Sequence, residues 1–194
     1  MRTTPYHHGT LPTDLIEQAA AIVESEGPAA VTIARVAKAC GVSVAAPYRH
    51  FASKEALLNE VAGRGFRQLG EKIRAITADV SEPTERLIAG GVGYVRFAQA
   101  HAGLFGLMFS LEHRDAGQAA GPQVLAGLRE SLEALPLVVP VEIAVRTAWA
   151  LVHGLAMLRV GGMRTFTDDT DQRLREELSV LLSGVIAGPG HDVS

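Results

Sequence analysis

Cysteine and tryptophan each occur once in the 194 residues, and aromatic residues make up only 5%. A single thiol, Cys40, excludes an internal disulfide and any multi-cysteine metal site, and it fits a reducing compartment. There is no excess of positive charge either. Eighteen Lys and Arg against twenty-one Asp and Glu give a net charge of −3, which rules out a uniformly basic nucleic-acid coat but not a local basic patch. Long uncharged apolar runs are missing too. The most apolar stretch, 141–160, is interrupted by Glu142, Arg146, His153 and Arg159, and its uncharged part from Thr147 to Leu158 falls short of the roughly 18 residues a span needs. Met1–Thr10 carries no apolar signal, so the expectation is a cytoplasmic protein that stays off the membrane. What is abundant is apolar aliphatic residue: 47% hydrophobic content suffices for a core.

The charge is unevenly placed. Residues 1–75 carry nine basic and seven acidic side chains, whereas 76–194 carry nine and fourteen. No carboxylate occurs between Glu26 and Glu55, while Arg35, Lys38, Arg49 and Lys54 do. Such a stretch suits either a phosphate-facing surface or an ordinary solvated face.

Strand patterns are absent, and apolar residues recur at helical spacing throughout. Leu15, Ala19, Ile22 and Val23 predict a first helix that stops at Gly27-Pro28. Thr32 is placed to cap a second, with Ile33, Val36 and Ala37 inward; Gly41 breaks it, and Ser43 starts a third short helix through His50 or Phe51. A fourth runs from Ser53 into the seventies, and further helices are expected at 83–100, 103–110, 121–134, 140–160 and 169–186. The connectors between them are read as Asp79–Glu82, Glu112–Ala120, Leu135–Val139 and Gly161–Asp168. The fold class expected is all-α, with an N-terminal three-helix domain over 1–55 and a C-terminal helical bundle over 56–194.

Two short helices across a glycine turn have the layout of a helix-turn-helix, in which the second helix lies in the DNA major groove, although helical hairpins of this spacing are common. The continuation is more specific: Gly41-Val42-Ser43, then Tyr48-Arg49-His50-Phe51, then Lys54-Glu55-Ala56-Leu57-Leu58. This resembles the DNA-binding domain of the TetR family of transcriptional regulators over about residues 10–60. Tyr6-His7-His8-Gly9 and the Trp149, His153-Gly154 pattern further resemble members with a WHG type of C-terminal ligand domain. Pro12-Thr13 departs from the family, where a basic residue is usual, and Ala34 stands where a base-reading side chain often does.

The resemblance implies backbone contacts from Thr32, Tyr48, His50 and Lys54 to double-stranded operator DNA; His50 is alternatively a plain helix C-cap. Val44, Ala45 and Ala46 are small and apolar, suited to thymine methyl groups, and Arg49 either reads guanine or touches phosphate. Phe97, His101, Phe105, Met108 and Phe109, with Trp149, His153 and Met157 along a later helix, read either as core or as the lining of a pocket for an unidentified small-molecule effector. The apolar helix 141–160 and the stripe Leu174, Leu178, Leu181 and Val185 suggest a homodimer interface that includes Leu151 and Leu155. Gly90, Gly91 and Gly93 in one helix call for a close neighbour or for ligand space. No catalytic constellation stands out, and no cofactor or metal is expected. Cys40 as a redox sensor and His7-His8 as metal ligands are weak patterns beside their bland readings. The function expected is a dimeric, ligand-responsive repressor of the TetR type. The rivals are an enzyme or carrier using the pocket, and a purely architectural adaptor.

Overall fold

The computed structural model describes residues 11–110, 114–166 and 170–184, with backbone alone at 114–120, 164 and 181. It is all helical, and no strand occurs among the described residues. The helices are α1 (Leu11–Glu26), α2 (Ile33–Ala39), α3 (Lys54–Thr77), α4 (Pro83–Ala100), α5 (Ala102–Met108), α6 (Arg114–Glu133), α7 (Val141–Val160) and α8 (Asp171–Leu182). Short 3-10 turns occupy Pro28–Ala30, Pro47–Arg49 and Arg164–Phe166.

Most boundaries fall where local chemistry puts them. Gly27 takes φ 82°, a conformation open to glycine, and turns the chain out of α1. Ser53 Oγ accepts from the Ala56 amide at 3.2 Å and caps α3. The expected connector Glu112–Ala120 is the exception. From Arg114 onward it is the start of α6, with Pro122 inside that helix. Gly117, Gly121 and Pro122 depress local helix propensity, yet they do not end the helix there.

The chain divides into two compact units, and the break does not fall at residue 55. The first comprises residues up to Phe66 together with His101–Ala119; the second comprises Arg67–Ala100 and the chain from Ala120 on. α3 is thus one uninterrupted helix whose first half belongs to one unit and whose second half belongs to the other.

In the first unit, α5 lies against α1. Glu24 makes this joint: its carboxylate accepts from the Gly103 and Leu104 amides at 3.1 and 3.3 Å and bonds His101 Nδ1 at 3.0 Å. An anion from α1 thereby satisfies the open N-terminus of α5. Phe105 and Met108 are buried in this unit, as are Leu57, Val61 and Phe66.

In the second unit, α4 packs on α7 and α8. Gly91 and Gly93 answer part of the glycine question. A Cβ at Gly91 would lie 2.9 Å from Leu178, and one at Gly93 would lie 2.8 Å from Ile76, so both let a neighbouring helix approach closely. Arg96–Asp171 and Arg175–Glu85 pair α4 with α8, and buried Arg159 on α7 donates to Glu177 at 2.7 Å. α7 is long and apolar enough to cross a membrane by composition, but in this unit it is a bundle helix held by α4 and α8.

Candidate functional site

In the first unit, the surface around Gly41 is set by local hydrogen bonds. Thr32 Oγ1 accepts the Arg35 amide at 3.2 Å and starts α2. At the other end, the Val42 amide bonds Ala37 O at 3.0 Å and the Gly41 amide bonds Lys38 O at 3.1 Å, with Gly41 at φ 69°. This pair of bonds is a Schellman close, which needs a residue comfortable in the left-handed region.

The segment after the turn is not the α-helix expected from Ser43 to His50. It is a run of tight turns: the Ala46 amide bonds Ser43 O at 3.0 Å, the Arg49 amide bonds Ala46 O at 3.2 Å, and the His50 amide bonds Pro47 O at 2.9 Å. Pro47 is the physical reason, because it has no N–H to bond Ser43 O and complete an α-turn. Its ring is buried, as is Phe51, and together they hold the segment on the core. What faces outward is Val44 and Tyr48, 52% and 55% exposed, with Ala45, Arg49 and His50 exposed beside them and Ala46 half-buried. Lys54 reaches back, its Nζ donating to Ala29 O at 3.4 Å.

The carboxylate-free stretch is less basic than its composition implies. Arg35 is bound by Glu26, which lies just outside that stretch, so Lys38, Arg49 and Lys54 carry the cationic character. Burial, and then the charge of Asp14, push the Cys40 thiol up, away from the thiolate a redox sensor needs. His7 and His8 lie outside the described residues.

The second unit contains a cavity of about 670 Å³. Its walls come from the second half of α3 (Gly70, Ile73, Arg74, Thr77), from α4 (Arg86, Gly90, Gly91, Tyr94), from α6, and from Trp149 and Val152 of α7, with Leu178 and Leu182 of α8. The Tyr94 ring meets Trp149 edge-on at 5.5 Å, and its hydroxyl bonds His153 Nδ1 at 2.9 Å. Burial raises the Tyr94 hydroxyl and lowers His153, so burial favours the neutral form of each.

Two family matches bear on this arrangement. Residues 15–61 match bacterial regulatory proteins of the tetR family, and 87–181 match the tetracyclin repressor-like C-terminal domain. The chain belongs to the TetR family of transcriptional regulators. A Mycobacterium tuberculosis protein described as an uncharacterized HTH-type transcriptional regulator is 29% identical over 161 residues, 82% of this chain and 78% of that one. A protein of unknown function from Rhodococcus sp. RHA1 superposes with a TM-score of 0.77 at 28% identity, covering 95% of this chain and all of that one. The TetR family regulator PfmR from Thermus thermophilus shares the fold, with a TM-score of 0.62 at 23% identity over 87% of this chain and 97% of its own.

For this TetR-family chain, the expected pocket residues separate. Trp149 lines the cavity. His153 stands behind it, stacked on the Trp149 ring at 6.0 Å, while Met157 is 47% exposed on the outside of α7. Phe97 is buried in α4 but does not line the cavity. His101, Phe105, Met108 and Phe109 belong to the first unit, where Phe109 packs edge-on to Phe66 at 5.2 Å. Their aromatic and thioether character reflects core packing of α5. Arg74, Arg86 and the α6 wall were missed; in the sequence they look like surface residues.

The expected subunit-interface residues also move. Leu155, Leu174 and Leu178 are buried inside a single chain, so they cannot form an outward face; Leu151 is half-buried. Leu181 is described only as helix backbone, and Val185 lies outside the described residues. The apolar groups that face out of α7 and α8 are instead Ile143, Ala150, Met157 and Val180.

Proposed function

We propose that this TetR-family regulator is a cytoplasmic homodimeric repressor that binds a palindromic operator and is released from it by a small-molecule effector. The observation that carries the reading is the surface after Gly41. Val44 and Tyr48 are large side chains left about half exposed on a segment that Pro47 and Phe51 fix rigidly, with cationic Arg49 and Lys54 alongside. An apolar contact surface rimmed by cations suits a DNA groove, where methyl contacts specify and phosphate contacts position.

The effector belongs in the cavity of the second unit, whose size falls within the range of small-molecule sites. The subunit contact is assigned to the outward stripe of Ile143, Ala150 and Met157 on α7 with Val180 on α8. A two-fold dimer presents two reading segments to successive major grooves. The coupling element is α3, which contributes Gly70, Ile73, Arg74 and Thr77 to the cavity wall and carries Lys54 in its first turn. A ligand that favours one setting of α3 by about 3 kcal/mol changes operator affinity roughly 150-fold.

Selection from random double-stranded DNA with the purified protein tests the reading. Enrichment of a palindrome with half-sites about one helical turn apart is expected. Failure to enrich any sequence refutes it in favour of a carrier or adaptor role.

A further inference from the structure

We propose that the cavity of the second unit takes an amphipathic carboxylic acid, an apolar body ending in one anionic group. This rests on the reading of that cavity as the effector site, and it adds the chemistry of the occupant.

Most of the wall is hydrocarbon or bare backbone. Ile73, Leu87, Val152 and Leu178 are apolar, and Gly90 and Gly91 present main chain where side chains would fill the space. The hydroxyls are already hydrogen-bonded. Thr77 donates to Ile73 O at 3.0 Å, Ser131 donates to Gly127 O at 2.9 Å, and the Tyr94 hydroxyl is bonded to His153. Tyr94 and Trp149 therefore offer ring surface to an occupant.

The charged groups are different. Arg74, Arg86 and Glu130 line the cavity, two cations against one carboxylate. Among the described residues of this unit Arg96, Arg129, Arg159 and Arg175 have ion-pair partners, whereas exposed Arg74 and Arg86 have none, as is also true of Arg67 and Arg146. Arg74 lies over the cavity wall, and Arg86 is held in place. Arg74 Nη1 lies 3.7 Å from where a Cβ of Gly70 would sit, so the guanidinium folds over a glycine that itself lines the cavity. Arg86 is tethered by Nε, which donates to Val80 O at 2.8 Å. Guanidinium groups bind a carboxylate through parallel N–H donors, and these two stand exposed where the cavity meets solvent. An apolar body against Trp149 with its anion at Arg74 and Arg86 satisfies both halves of the lining.

The test uses the protein's own reporter, since Trp149 is the sole tryptophan and lines the cavity. Sodium decanoate, decan-1-ol and decylammonium chloride are titrated separately against the full-length protein while tryptophan emission is followed. Decanoate is expected to give a saturable change with at least tenfold tighter binding than either other probe. Arg74→Ala with Arg86→Ala should remove that advantage while leaving decan-1-ol binding unchanged. Equal affinity for the three, or a preference for decylammonium, overturns the carboxylate assignment. No response to any probe overturns it together with the cavity as a binding site. If decanoate binds with the expected preference but leaves affinity for a selected operator unchanged, the ligand class stands and the effector reading fails.

Discussion

Two glycines in α5 should respond to alanine with opposite signs. Both Gly103 and Gly106 lie in the seven-residue helix Ala102–Met108. Helix propensity alone predicts that either substitution stabilises, by up to about 1 kcal/mol. At Gly106 nothing lies within 4 Å of an added Cβ, so that gain should be realised, at about 0.5–1 kcal/mol. At Gly103 the new Cβ would lie 2.4 Å from Val23 O and 2.9 Å from Glu24 Cα. These are backbone atoms of α1 and cannot rotate aside, so α5 must move away. Overpacking of this kind costs about 1–3 kcal/mol. Retreat also stretches the bonds from the Gly103 and Leu104 amides to Glu24, worth about 1 kcal/mol as a helix cap. Set against a propensity gain below about 1 kcal/mol, the net loss for Gly103→Ala is about 2 kcal/mol.

Urea unfolding followed by far-ultraviolet circular dichroism measures both variants against the parent. The expected result is a higher midpoint for Gly106→Ala and a lower one for Gly103→Ala, at unchanged slope. A Gly103→Ala protein as stable as Gly106→Ala would refute the close seating of α5 on α1.

Four further outcomes follow from the same structure. Ala46→Glu places a carboxylate on the reading segment and should abolish operator binding in a mobility-shift assay while leaving the circular dichroism spectrum intact. Lys54→Ala should weaken binding about equally for all sequences and lower the salt-dependence slope by about one, as loss of a phosphate contact does; a changed sequence preference would contradict that role. His153 is held below its ordinary value of about 6.5 by burial, so folding disfavours its protonated form. Its contribution is therefore complete above about pH 6.5 and lost as pH falls below it. His153→Gln should flatten the parent's loss of stability between about pH 7 and 5, measured as urea midpoints. If the proposed dimer forms through the outward stripe of α7, Ala150→Glu puts charge on that contact and should shift the protein to monomer in sedimentation velocity; a parent that is itself monomeric, or an unchanged dimer, would contradict the assignment.

The helix-turn-helix was legible because its determinants are local. Thr32, Gly41, Ser53 and the inward residues of α2 act within a few positions of themselves, and each stands where the spacing places it. The recognition segment was misread for an equally local reason that periodicity does not register: Pro47 is apolar and in phase, but it lacks the amide an α-turn requires. The start of α6 failed the other way: the stretch read as the connector Glu112–Ala120 is helix from Arg114 on.

The cavity was less legible, and the reason is physical. Sequence reasoning sought it among aromatic and thioether residues, but such side chains are attractive precursors of any core, and Phe105 and Met108 are consumed by the core of the first unit. A cavity forms where volume is missing. The better signal was the cluster Gly90, Gly91 and Gly93, whose members act differently: Gly91 and Gly93 admit Leu178 and Ile76, while a Cβ at Gly90 would meet nothing closer than 3.6 Å and would project among cavity-lining residues. Missing side-chain volume at Gly91 lets α8 approach α4, and at Gly90 it leaves space among cavity-lining residues. Close helix packing and ligand space are therefore joint consequences of one glycine cluster, and Gly90→Leu should fill the cavity without disturbing the α4–α8 contact.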